Sequence, residues 1–163
     1  MPAPRLELAV QYGVASRNLP SRTQFRRWVR KALGHDARIT IRIVGQAEGR
    51  ALNRDYRGKD YATNVLTFIL RDEAPLEGDL ALCAPVVARE AKAQGKALLA
   101  HYAHLTVHGV LHLQGYDHEN DADAGVMEGR ETAIVTALGY AAPYDTPAPL
   151  RRRTAPRATS RTP

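Results

Sequence analysis

Residues 108–118 read HGVLHLQGYDH and set His108, His112 and His118 at the spacing H-x3-H-x5-H. On a helix, positions four apart share a face with Cβ atoms about 5–6 Å apart, so His108 and His112 can both reach one ion. Six further residues of straight helix would carry His118 about 9 Å along the axis and off that face. The chain must therefore turn back, and Gly115 is the residue that permits the turn by accepting a positive φ. Helix, glycine turn and third ligand make a coherent metal site. Three neutral imidazoles suit zinc, one ion per chain, and leave its fourth position open, which points to an enzyme rather than a structural module.

Working outward, this requirement fixes a helix over residues 97–114, apolar but interrupted by four histidines and so no membrane span. His104 lies one turn before His108 and competes as a ligand. Along a straight helix, however, it would sit about 12 Å from His112. His104 therefore supports a ligand from behind or fills the core, and His101 and His35 read as satisfied structural histidines. Downstream, Asn120 caps a last helix over residues 121–138 with Val126, Met127, Ile134 and Leu138 as its inner stripe.

Upstream, Leu6, Leu8 and Val10 alternate with polar or small residues, and Ile39, Ile41 and Ile43 do the same, giving two half-buried strands. Ser21 and Gln24 form a capping box before a helix whose inner stripe is Phe25, Trp28, Val29, Ala32 and Leu33. A short helix over residues 46–55 turns Ala47, Ala51 and Leu52 inward. The apolar run at residues 64–70, NVLTFIL, suits a central strand covered on both faces. Residues 78–84 read as a fourth strand, and Pro85 starts a helix that Gly95 ends. The order βαβαββααα predicts a single α+β domain over residues 1–140. It has a four-stranded mixed sheet, about five helices, and the metal site at the end of a helix in the C-terminal half.

At 163 residues the chain fits one domain with a sizeable core. Its single cysteine, Cys83, excludes an intramolecular disulfide and suits a reducing, cytoplasmic setting. Of the net charge of +6, the segment 141–163 contributes five arginines against Asp145, which leaves +2 for the rest. That segment also holds five of the ten prolines and has no hydrophobic period, so it reads as a disordered tail.

The three ligands and Gly115 also fit the zinc signature of metzincin proteases. That signature places a glutamate directly after the first histidine, as general base. Here the position is Gly109, which can accept no proton, and peptide hydrolysis by that route is disfavoured.

With Gly109 in place, HGVLHLQGYDH closely resembles the YbeY-type endoribonucleases. A second segment carries the same resemblance: residues 52–68, LNRDYRGKDYATNVLTF, followed by Gly78 and Asp79. Together they cover roughly residues 5–140. The resemblance implies an α+β metal-dependent hydrolase that cuts single-stranded RNA. It also implies roles in 16S rRNA 3′ end maturation, in small ribosomal subunit biogenesis with its assembly factors, and in ribosome quality control. RNA rather than DNA is the implied nucleic acid, and no membrane is involved. His108, His112 and His118 correspond to the family's metal ligands, and Arg57 to its functionally important arginine. Ile69 follows Phe68 where the family often has proline, so the strand is expected to run on. Asp117, beside His118, reads equally as a group that orients a ligand or accepts a proton and as a turn residue. Two alternatives stand beside the nuclease: a metalloprotease or other metal hydrolase, and a non-catalytic ribosome-assembly factor whose metal holds the fold.

Overall fold

The structure, a computed structural model, describes residues 2–15, 17–117 and 120–144. Among these residues four strands and five helices follow in the predicted order. They are β1 (Leu6–Tyr12), α1 (Arg22–Ala32), β2 (Ala37–Val44), α2 (Gln46–Arg57), β3 (Val65–Arg71), β4 (Leu76–Cys83), α3 (Ala84–Gln94), α4 (Leu98–Leu113) and α5 (Asp121–Ala137). The sheet has the order β1-β2-β4-β3, with β1, β2 and β4 parallel and β3 antiparallel to β4. The fold is α+β with a mixed sheet, as expected. No helix among the described residues is long and apolar enough to cross a membrane.

The local signals hold where they are chemical. Ser21 Oγ accepts from the Gln24 amide at 3.1 Å and Gln24 Oε1 accepts from the Ser21 amide at 2.8 Å, so the capping box forms. Phe25, Trp28, Val29 and Ala32 face the core. The opposite, basic face of α1 is partly engaged by backbone carbonyls: Arg22 donates to Val10 O, Arg27 to Leu138 O and Arg30 to Pro4 O.

Three expectations are corrected, each by long-range packing. Strand β3 is the sheet edge: Val65 and Leu66 are buried, but Ile69 and Leu70 are 46% and 63% exposed. It pairs only with β4, and β4 takes the central place through pairing with both β2 and β3. The strand does run on past Phe68, to Arg71. In α2 the fully buried positions are Gly49, where a Cβ would meet Cys83 Sγ at 2.9 Å, and Asn53. Of the expected inward residues Leu52 packs against Val44, Cys83 and Val86 and Ala51 is half-buried, but Ala47 is exposed. In α5 the buried face is Met127, Glu131, Ile134 and Val135, whereas Val126 is 61% exposed. The 145–163 part of the predicted tail lies outside the described residues.

Helix α4 is buried almost all round. Two reciprocal glycine–leucine contacts press it against β4. A Cβ at Gly109 would stand 2.5 Å from Leu80 Cδ2, and a Cβ at Gly78 would stand 2.2 Å from Leu113 Cδ2. Each element thus offers a glycine to the other's leucine, and the helix seats closer to the sheet than any side chain would allow. On another flank Gln114 joins α4 to α1, donating to Ala32 O at 2.7 Å and accepting from the Gly34 amide at 2.7 Å.

Candidate metal centre

Of the four histidines on α4, His108 and His112 are set by their Nδ1 atoms. His108 Nδ1 lies 2.6 Å from Glu131 Oε2, and His112 Nδ1 lies 3.2 Å from the Tyr116 carbonyl oxygen. A carbonyl can only accept, and so can an ionised carboxylate, so each ring carries its proton on Nδ1. In the neutral imidazole the lone pair then falls on Nε2, the state in which histidine ligates a metal. The two rings sit one helical turn apart on one face, in the same tautomer. This donor chemistry fits a divalent ion with a preference for nitrogen, zinc first among them.

The turn that follows has the predicted form. Gly115 takes φ +99°, the Gly115 amide bonds to His112 O at 3.1 Å, and the Tyr116 amide bonds to Leu111 O at 3.2 Å. This is a Schellman closure, which satisfies the last carbonyls of α4 and sends the chain back across its own end. The same turn brings the Tyr116 carbonyl to His112. Asp117 follows, half-buried. His118 lies outside the described residues, and among the described residues alone no group of three metal-ligating side chains forms.

His104 does not join the pair. It directs Nε2, the opposite nitrogen, at Glu131 Oε1 at 2.8 Å and lies 3.3 Å from the Tyr144 hydroxyl. His101 is tied to Glu90 at 2.8 Å, and Glu90 in turn accepts from Asn64 Nδ2 at 3.0 Å, a bracing contact between α3, α4 and the start of β3.

Glu131 is the residue that sequence reasoning missed. It is 0% exposed, accepts from His104, His108 and the Tyr144 hydroxyl, and sits at the centre of the α4–α5 contact. Burial pushes its carboxyl up, but the hydrogen bonds from His104 and His108 outweigh burial and hold it well below the usual carboxylate range. A signal was available: Met127, Glu131, Ile134 and Leu138 recur at helical spacing, which puts the acid on the inner stripe of its helix, where a buried carboxylate needs donors.

Arg57 stands at the C-terminal end of α2, where its Nη1 donates to Asn53 Oδ1 at 3.4 Å. No hydrogen bond among the described residues joins it to the histidines. The neighbouring Tyr56 packs edge-on against Phe68 of β3 with ring centroids 5.1 Å apart. The preceding residue of that strand, Thr67, borders Gly109. Since successive strand residues point to opposite faces, the Arg57 end of α2 and the middle of α4 meet opposite faces of this edge strand. A Cβ at position 109 would point at Leu80 of β4, with Thr67 Oγ1 at 3.4 Å.

A groove of about 390 Å3 opens beside the Gly115 turn, lined by residues that include Lys31, His35, Gln114, Tyr116 and Arg130. Its cationic rim suits an anionic ligand.

Fold and site together define a single-domain α+β protein with a histidine-based candidate metal centre on its central helix. Comparison with known proteins is specific. The family model described as Endoribonuclease YbeY matches residues 15–139. The chain is 59% identical over 139 residues to Endoribonuclease YbeY of Nitrosomonas europaea, covering 85% of each chain. It is 58% identical over 141 residues to that of Methylobacillus flagellatus, covering 86% of this chain and 95% of the relative. Among solved structures, the solution structure of TM1509 from Thermotoga maritima matches with a TM-score of 0.57 and 27% identity, covering 80% of this chain and 88% of that one. The chain belongs to the YbeY endoribonuclease family.

Proposed function

We propose that the protein is a zinc-dependent, single-strand-specific endoribonuclease of the cytoplasm. It acts in 16S rRNA 3′ end maturation, in small ribosomal subunit biogenesis alongside the subunit's assembly factors, and in ribosome quality control. The observation that carries the chemistry is the pair His108 and His112, which share a helical face and a tautomer with the lone pair on Nε2. Family membership carries the substrate.

His108, His112 and, past the Gly115 turn, His118 would hold the ion. Zinc on three neutral imidazoles supplies a full double positive charge and Lewis acidity toward phosphoryl oxygens. The protein's own groups do the rest. Glu131 and the Tyr116 carbonyl keep two imidazoles oriented. Arg57 offers a guanidinium for the negative charge that grows on the phosphoryl oxygens during cleavage. Exposed Tyr56 and Tyr61, beside Arg54, Arg57 and Lys59, present stacking faces and cations of the kind that single-stranded RNA uses. Gly109, standing where the protease signature has its glutamate, offers no proton acceptor and so speaks against the protease alternative.

The test is a His112→Ala variant, expected to lose bound zinc and RNA cleavage together while single-stranded RNA, duplex RNA and casein are offered side by side to the parent chain. Retention of stoichiometric zinc by the variant, or casein cleavage with inert RNA by the parent, would overturn the reading.

A further inference from the structure

We propose that Glu131 is a positioning residue for the metal centre: one buried carboxylate that selects the metal-binding tautomer of His108, with His104 and Tyr144 locking its other oxygen. The proposal rests on the metal-centre reading above and assigns a function to a residue outside the ligand set.

The geometry is that of a clip. His104 and His108 lie one turn apart on α4, and a single side chain from α5 engages both, Oε1 to His104 Nε2 at 2.8 Å and Oε2 to His108 Nδ1 at 2.6 Å. The Tyr144 hydroxyl donates to the same Oε1 that His104 engages. Three donors therefore converge on an ion that can only accept. This fixes the rotation of the carboxylate plane, and with it the oxygen aimed at His108. The His108 proton is held on Nδ1 and its lone pair on Nε2. A fully buried carboxylate with neutral imidazole partners is costly alone. A dication on the far side of His108 would lie one imidazole away and stabilise that negative charge, so ligand and clip favour each other.

A purely fold-holding acid would predict something different, and Glu131→Gln separates the two. Glutamine keeps the shape but has one acceptor oxygen and one donor amide. If the oxygen stays toward His104 and Tyr144, both donors remain satisfied, and the amide faces His108 Nδ1. The opposite orientation replaces the strong acceptor of Tyr144 with a longer bond to His104 Nε2, 3.3 Å away, and needs His104 to move its proton to Nδ1. The favoured arrangement forces His108 to accept on Nδ1 and to carry its proton on Nε2, which closes the lone pair the metal needs.

The experiment uses the full chain, stripped of metal, and reads ring tautomers by nitrogen-15 NMR and zinc affinity by competition with a chelator. The parent chain is expected to show His108 protonated on Nδ1. Glu131→Gln is expected to show the Nε2–H tautomer and to bind zinc about 10–100-fold more weakly, with an unfolding transition that remains cooperative. A folded variant with parental tautomer and parental zinc affinity would overturn the proposal. So would an Nε2–H tautomer of His108 in the parent, a measurement that stands even if the variant fails to fold. Failure of the underlying reading looks different: a parent chain that binds no zinc removes the metal centre itself, whereas zinc binding that is indifferent to Glu131 removes only its positioning role.

Discussion

At position 109 the missing side chain acts on packing before it acts on chemistry. An added methyl would stand 2.5 Å from Leu80 Cδ2 and 2.9 Å from Leu80 Cγ, both inside contact distance. Gly109→Ala is expected to destabilise the fold by about 1–3 kcal/mol through overpacking. In a chain of this size that corresponds to roughly 2–4 °C in Tm for each kcal/mol. A thermal melt matching the parent's would show that α4 is not seated as described. The same scale shows what a sequence can reveal. The ligand pair was legible because metal geometry imposes a spacing, and Gly115 because a helix must end before His118. The turn at φ +99° bears out the Gly115 reading. Glu131 was not legible at first sight, since an acid on a helix reads as solvent-facing unless its stripe is traced through Met127, Ile134 and Leu138. Nor did the sequence indicate that Gly109 faces Leu80, a contact between residues far apart in the chain.

Among the elements, α2 is tied to the loop after it by two side chains: Arg50 pairs with Asp60 through two bonds of 2.7 and 2.8 Å, and Asn53 holds the turn from within. Asn53 is buried, donates to the Tyr61 carbonyl at 2.7 Å and accepts from Arg57 at 3.4 Å, and its own carbonyl receives the Lys59 amide at 3.4 Å. Gly58, at φ 71°, closes the helix between them. Asn53→Ala would leave the Tyr61 carbonyl without that donor, at a cost of about 1–3 kcal/mol. Amide hydrogen exchange should then rise across residues 58–62 while α4 stays protected. Uniform exchange in both would place the effect elsewhere. Strand β3 gives the matching lesson on legibility. Its apolar run fits a doubly covered strand, but whether a strand is central is decided by its neighbours, and β4 alone pairs with it. Local chemistry such as the Ser21–Gln24 box can be read from a few residues, whereas strand order cannot.

For the whole molecule, the candidate centre lies where α4, its C-terminal turn and α5 meet. Metal binding should therefore be folding energy. A ligand at 100 times its Kd stabilises the native state by about 2.7 kcal/mol. Stripping the metal with EDTA is expected to lower Tm by several degrees, and returning zinc to restore it. A melt insensitive to both additions would argue that no ion is held in the native state. At this scale the sequence was most informative. The element order βαβαββααα, the single domain core and the family resemblance all followed from periodicity and two motifs, and the fold and the family comparison agree with them.

The paired glycines have a consequence for how such a chain can change over time. Gly109 and Leu80 belong to a helix and a strand, as do Leu113 and Gly78, and neither glycine can gain a side chain while the leucine opposite keeps its place. At Gly109 substitution is thus ordered: Leu80 must shrink first, and the intermediate carries a void. At Gly78 the Phe68 carbonyl oxygen, 2.9 Å from the same Cβ, opposes replacement even with a smaller residue at 113. That barrier binds the histidine-bearing helix to one strand of the sheet as a unit of inheritance, so the two are expected to drift together or not at all.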